Sequence, residues 1–357
     1  MPALAQPANA SQKILVSGAN GYIAIWVVRT LLERGYSVRS TVRSADKGKH
    51  LKGVFKDYGD RHEITVIPDI TKKGAFDEAV KDVVAVEHVA SPVTLQADDP
   101  YELITPAVNG TLSILQSILD HGISVKRVVI TSSCAAVVRE DPEPLELNES
   151  DWNEQSLEIL EEGGPRLTGL VKYRASKTLA EKAAWKFWEE NKDRVGWDLV
   201  VINPPYVFGP IIHEVTTPSS LNASMLDWYN YVAHPTHNFE SQEFLATRGS
   251  NFVDVRDLAE AHTLALEKED AGSKRIIVSA GVWKWQDFID AANALSPPPK
   301  LSKPLPKGNP GAGSSNPATV HMVRFNTDRA KQIFGIKYRS ISDITKDVLA
   351  DFESKHW

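Results

Sequence analysis

Tyr173 and Lys177 stand four positions apart in the stretch LVKYRASKTLAEKAAWKF, residues 170 to 187. At that spacing two side chains share one face of a helix. A phenol titrates near about 10 and is a poor acid or base at neutrality, but a neighbouring ammonium stabilises the phenolate and brings proton exchange within reach. Such a pair could protonate an oxygen on which negative charge is developing. Spacing alone decides little, because nine tyrosines and 24 lysines in 357 residues give roughly 0.6 chance matches.

The surrounding elements supply what spacing cannot. An apolar run at 126 to 133 ends in TSSCAA and carries Ser132 and Ser133. In a parallel α/β sheet, ligands gather at the carboxyl ends of the strands. The sequence predicts that the following helix begins near Tyr173, so Ser133, Tyr173 and Lys177 are expected to converge at that edge. A carbonyl reduction needs this set: a hydride from a nicotinamide, a hydrogen bond from Ser133 and a proton from Tyr173.

Strands are expected at 13 to 17, 37 to 43, 63 to 70, 83 to 90, 126 to 133 and 197 to 205, most of them separated by helical patterns. Near-continuous apolar strands alternating with helices predict an α/β fold, a doubly wound parallel sheet of Rossmann type. Residues 1 to 11 are expected to form a flexible tail, 12 to 205 the dinucleotide-binding domain, and 206 to 357 mainly a smaller substrate-binding region. Within that region, 252 to 270 is expected to pack back on the first domain. The Pro/Gly/Ser-rich stretch 296 to 318 reads as a surface loop.

SGANGYIA places Gly18, Gly21 and Ala24 after a strand and at the opening of a helix. Glycines there allow a tight turn and close backbone approach to a pyrophosphate, which the helix N-terminus stabilises. Asn20, Tyr22 and Ile23 belong to the same turn. At the end of the second strand, VRSTVRSADK offers Arg39, Arg43 and Lys47 where an NAD site offers a carboxylate. Guanidinium suits a phosphate, so NADPH/NADP+ is the expected cofactor.

These motifs, with PDIT at 68 to 71, VASPV at 89 to 93, AVNGTLSIL at 107 to 115, YRASK and NPPYVFGP at 203 to 210, resemble the extended short-chain dehydrogenases/reductases over nearly the whole chain. The resemblance is greatest to the fungal NADPH-dependent aldehyde and methylglyoxal reductases, relatives of dihydroflavonol reductase. It implies Ser133, Tyr173 and Lys177 as catalytic set, with Asn109 as a fourth member holding a proton-relay water. It also implies that Lys177 binds the nicotinamide ribose, that Asp69 and Ile70 border the adenine, and that Ala90 and Pro92 flank the ribose. Pro204 to Val207 would meet the carboxamide, and Arg43 the 2′-phosphate. Two rival functions share parts of this pattern. One is an NAD-dependent nucleotide-sugar epimerase or dehydratase, the other a non-catalytic NADP(H)-sensing protein.

Composition narrows the partners. A net charge of −6 without a basic stripe disfavours nucleic acid and anionic membrane, leaving a small carbonyl substrate, in a monomer or homodimer. A single cysteine, Cys134, excludes an intramolecular disulfide and fits a reducing, cytoplasmic setting. It reads as a small buried hydrophobe. No metal is expected, His213, His234 and His237 reading as loop residues. Trp185, Trp283 and Trp285 read as structural, while 224 to 232, including Met225 to Tyr231, suits a pocket wall and core packing equally.

Overall fold

The computed structural model describes residues 3–4, 11–91, 98–234 and 242–357. β1 (Lys13–Ser17) has Ile14, Leu15 and Val16 wholly buried, as befits a strand covered on both faces. The chain turns at Gly18 into α1 (Tyr22–Glu33), which is followed by Gly35 at φ +99°. There follow β2 (Ser37–Val42), α2 (Ala45–Val54), β3 (His62–Val66), β4 (Ala85–His88), α3 (Tyr101–His121) and β5 (Arg127–Thr131). Then come β6 (Leu145–Leu147), α4 (Glu154–Glu162), α5 (Gly169–Asn191) and β7 (Asp198–Asn203).

The remainder comprises β8 (Tyr206–Phe208), α6 (Ala223–Trp228), α7 (Gln242–Thr247), β9 (Gly249–Asp254), α8 (Val255–Glu267) and β10 (Lys274–Ile277). β11 (Gly281–Lys284), α9 (Trp285–Asn293), β12 (Val323–Phe325), α10 (Asp328–Phe334) and α11 (Ile341–Ser354) complete it.

The main sheet has seven parallel strands in the order β10-β7-β5-β4-β1-β2-β3. Ile14 pairs with Val38 on one side and Ala85 on the other, so strand order reverses between β1 and β4. Ligands of doubly wound sheets bind at that switch point. This is the expected Rossmann-type fold. The edge strand β10 went unread: where β4 lies within a longer apolar run, the apolar residues of β10 are preceded by the charged stretch around Lys274 and Arg275. The sheet therefore extends beyond residue 205.

α8 lies against the sheet through charge as well as packing. Arg127 makes a buried bidentate ion pair with Asp198 at 2.6 and 2.7 Å, and its Nη1 donates to the Ala265 and Lys268 carbonyls at 2.7 and 2.6 Å. The guanidinium thus caps the carbonyl end of α8, where the Lys268 carbonyl also accepts from Ala271 N at 3.2 Å. At the other end of the chain, the Leu4 amide donates to the Leu266 carbonyl at 2.9 Å, and its side chain is buried.

A second sheet, β11-β9-β8, is entered from the carboxyl ends of β7 and β10, and β12 pairs with β6. Segment 296 to 318 has no regular element and is tied to α9. Asn293 donates to the Pro306 carbonyl at 2.8 Å and Gln286 to that of Lys307 at 3.0 Å.

Candidate active site

A cavity of about 1480 Å³ runs along the carboxyl edge of the main sheet. Its nucleotide end is built on Gly18, at φ +62°, where an added Cβ would lie 3.0 Å from both Cα and Cβ of Ala90. Gly21 is the N-cap of α1 and supplies no side-chain cap, which leaves the first-turn amides and the helix dipole to an anion. Asn20, Tyr22 and Ile23 also line this end, and the Tyr22 hydroxyl donates to the Gly209 carbonyl at 2.9 Å. Ser17 Oγ accepts from the Val89 and Ala90 amides, each at 3.0 Å, and so donates to His88 Nδ1 at 2.9 Å. Burial, reinforced by the Lys177 charge, lowers the His88 pKa to about 3, keeping it a neutral acceptor. One hydroxyl thus clamps the end of β4 to the glycine turn.

Arg43 is exposed on the cavity wall and forms no ion pair among the described residues. Lys47 is on the wall too, but its ammonium pairs with Glu214 at 3.1 Å. Arg39 is elsewhere: it pairs with Glu63 and donates to the Ala79 and Lys81 carbonyls at 2.8 and 2.7 Å. Four positions apart, Arg39 and Arg43 share the parity of one strand face; what separates them is place along the chain, Arg39 lying in mid-β2 beside Glu63 of β3 and Arg43 lying past the strand's end, with no ion pair among the described residues. Asp69 and Ile70 line the cavity, the Asp69 carboxylate accepting from Thr71 N at 2.9 Å and Thr71 Oγ1 at 2.6 Å. Pro92 lies outside the described residues.

α5 starts at Gly169 rather than near Tyr173, because Thr168 caps it by accepting from Val171 N at 3.3 Å. One turn of helix therefore precedes Tyr173. Ser133, Tyr173 and Lys177 all line the cavity. Burial raises the Tyr173 pKa, partly offset by its hydrogen bond with Ser133, with Tyr206 and Cys134 adding to the rise. Ser133 Oγ accepts from Ala135 N at 3.0 Å and lies 3.5 Å from the Pro204 carbonyl. Lys177 is buried, donates to Ser91 Oγ at 3.0 Å, and has its pKa lowered by burial to about 8, with Glu181 opposing the fall. The Lys177 ammonium is directed at Ser91 rather than at the phenol, whose pKa goes up with burial and not down as expected. Pro204 and Val207 line the wall with Pro205 and Tyr206.

Asn109 departs from expectation. It is exposed on α3 and absent from the cavity lining, where α3 contributes Pro106. Ala107, Gly110, Thr111 and Ile114 form the buried face of α3, and Asn109, two residues from Ala107 and from Thr111, points about 160–200° from them.

The distal wall is aromatic. Tyr206 and Trp283 meet at 5.7 Å, Trp283 and Trp285 at 4.4 Å, and Tyr231 and Trp285 at 4.9 Å between ring centroids. Trp283 and Trp285 are buried and also line the cavity. The stretch 225 to 231 divides: Met225, Trp228 and Tyr229 are buried in the core, whereas Asp227 and Tyr231 line the cavity. Burial raises the Asp227 carboxyl. Cys134 is buried, its thiol raised well above the ordinary value by burial, and it donates to the Asn203 carbonyl at 3.2 Å. Among the described residues no cluster could hold a metal ion; His237 lies outside them.

The model of the NAD dependent epimerase/dehydratase family matches residues 14–281, three-quarters of the chain. The chain belongs to that family. The NADPH-dependent methylglyoxal reductase GRE2 of Saccharomyces cerevisiae is 35% identical to this chain, covering 94% of it and 96% of its own length. Ketoreductase azaE of Aspergillus niger is 34% identical over 95% and 97% of the two chains. The crystal structure of yeast methylglyoxal/isovaleraldehyde reductase Gre2 complexed with NADPH superposes with a TM-score of 0.81 at 33% identity, covering 96% of this chain and all of the other.

The family's dinucleotide fits the residues present. The Gly18–Ala90 contact leaves a cradle that a Cβ would fill, α1 offers uncapped amides, and Arg43, without an ion pair among the described residues, supplies a cation at the end of β2. Sequence reasoning missed Ser91 and Glu181, and it read Trp283 and Trp285 as structural only. For Glu181 a signal existed: it follows Lys177 by four residues, extending the Tyr173–Lys177 face.

Proposed function

We propose that this protein reduces aldehydes and ketones to alcohols with NADPH, Tyr173 giving the proton. The observation that carries the reading is the meeting of Ser133, Tyr173 and Lys177 on one cavity wall whose other end is the Gly18 cradle. NADPH, when bound, supplies the hydride. The Ser133 hydroxyl orients the carbonyl oxygen by a hydrogen bond, and the Tyr173 phenol, kept protonated by burial, delivers its proton as charge builds there. Lys177 would hold the nicotinamide ribose and, once there, balance the phenolate left behind. Arg43 would read the 2′-phosphate, where an acid would repel it.

The aromatic distal wall favours carbonyl compounds with an apolar substituent. A reducing compartment and a monomer or homodimer complete the proposal. Among the described residues no helix is long and apolar enough to cross a membrane. Tyr173→Phe tests the role of the phenol: turnover of any accepted aldehyde should fall about 10²- to 10⁴-fold while NADPH binding, followed by titration, persists. Full activity in that variant would overturn the reading.

A further inference from the structure

Tyr173, Lys177 and Glu181 recur at every fourth position of α5, on one helix face. We propose that Glu181 is a positioning residue for the reaction: its buried carboxylate locks the serine-bearing end of β5 and the Asn203–Pro204 corner of β7 to α5, setting Ser133 against Tyr173. The proposal rests on the catalytic reading above.

Glu181 is 2% exposed, yet both its oxygens are occupied. Oε2 accepts from Ser132 Oγ at 2.6 Å and Asn203 Nδ2 at 2.8 Å. Oε1 accepts from Arg275 Nε at 2.5 Å and Trp185 Nε1 at 3.3 Å. Two of these donors bracket the reacting serine. Ser132 precedes Ser133 in the chain, and Asn203 Nδ2 also donates to the Ser133 carbonyl at 3.1 Å. Asn203 in turn precedes Pro204, whose carbonyl lies 3.5 Å from Ser133 Oγ. The backbone and hydroxyl of Ser133 are therefore referenced to one carboxylate on the helix that carries Tyr173.

Arg275 makes that carboxylate tolerable in the interior. It donates to the Glu149 and Asp151 carbonyls, each at 2.8 Å, and lies 3.6 Å over the Trp152 ring. A buried carboxylate stripped of such partners would destabilise the fold. A second consequence is electrostatic. Glu181 and Lys177 form no direct ion pair, but the negative charge raises the Lys177 pKa against burial. The other groups in this field are His88 from β4, Arg275 from β10, and Cys134 and Glu149 beyond them.

The test is Glu181→Gln beside Ser132→Ala, with Tyr173→Phe in parallel. Glu181→Gln keeps the shape and removes the charge. It should lower kcat about tenfold to a hundredfold, as misplacement of a reacting group does, with NADPH affinity held within about threefold. The alkaline limb of kcat/KM for NADPH should also move down by about half a pH unit or more. Ser132→Ala keeps the charge, so kcat should fall about threefold to tenfold with the limb unmoved. A Glu181→Gln protein that merely melts earlier, with kcat and limb unchanged, would overturn the positioning role. Should that variant fail to fold, an unchanged kcat in Ser132→Ala would overturn it instead. If Tyr173→Phe retains activity, the catalytic reading itself has failed; if only the Glu181 and Ser132 variants do, the positioning role alone has.

Discussion

Lys177 carries the clearest pH signature at the scale of single residues. Burial lowers its pKa to about 8, so the cofactor-free protein holds it as an ammonium below that pH and loses the charge above it. Tyr173 moves the other way, upward, and keeps its proton through the same range. If the ammonium is what receives the nucleotide, kcat/KM for NADPH should be flat below about pH 8 and fall about tenfold per pH unit above it, since that ratio reports the free enzyme. Initial rates at limiting NADPH across a pH series check this; a profile flat to pH 9.5 or so would deny Lys177 the role. The pair Tyr173–Lys177 was legible from spacing plus the serine-ending strand. Its actual hydrogen-bond partner, Ser91, was not, because that contact joins residues 86 apart in sequence. Asn109 was misread because a motif match carries no information about which way a helix faces, and its own neighbours Ala107 and Gly110 take the buried side.

Among the elements, the β1–α1 turn offers a dinucleotide both a close backbone approach and uncapped helix amides. Gly18 combines a left-handed backbone with contact against Ala90, so a side chain there meets both strain and a clash. Gly18→Ala should cost about 1–3 kcal/mol of stability and weaken NADPH at least about tenfold. Thermal melts with fluorescence titration check it, and wild-type affinity in the variant would remove the turn from the site. The turn was legible because glycines between a strand and a helix leave a local signature. The start of α5 was less so. Thr168 caps it from outside the apolar pattern, which moves the observed start one turn upstream of Tyr173. β10 escaped for a different reason: it pairs with β7, more than 70 residues earlier in the chain, and its own Lys274 and Arg275 break the apolar run that marks the equally short β4.

The whole molecule joins a sheet that holds a dinucleotide to a layer of aromatic residues drawn from 206 to 285. The alternation of apolar runs and helices made the first part readable. The second came together from β8, β9 and β11, whose short strands and scattered tryptophans have no sequence period, so Trp283 and Trp285 looked merely structural. Net reduction of a carbonyl and a reaction that leaves the nucleotide's hydride in place are different outcomes. Those outcomes separate at the level of the complete reaction. The protein should be incubated with NADPH deuterated at the transferable position of the nicotinamide C4, together with an aryl or branched aliphatic aldehyde, and the products read by mass spectrometry. The account predicts an alcohol carrying the deuterium on its carbinol carbon, with NADP+ accumulating in equal amount. Label that stays on the nucleotide while the substrate is merely isomerised or dehydrated, or an aldehyde left untouched beside tightly bound NADPH, would contradict it.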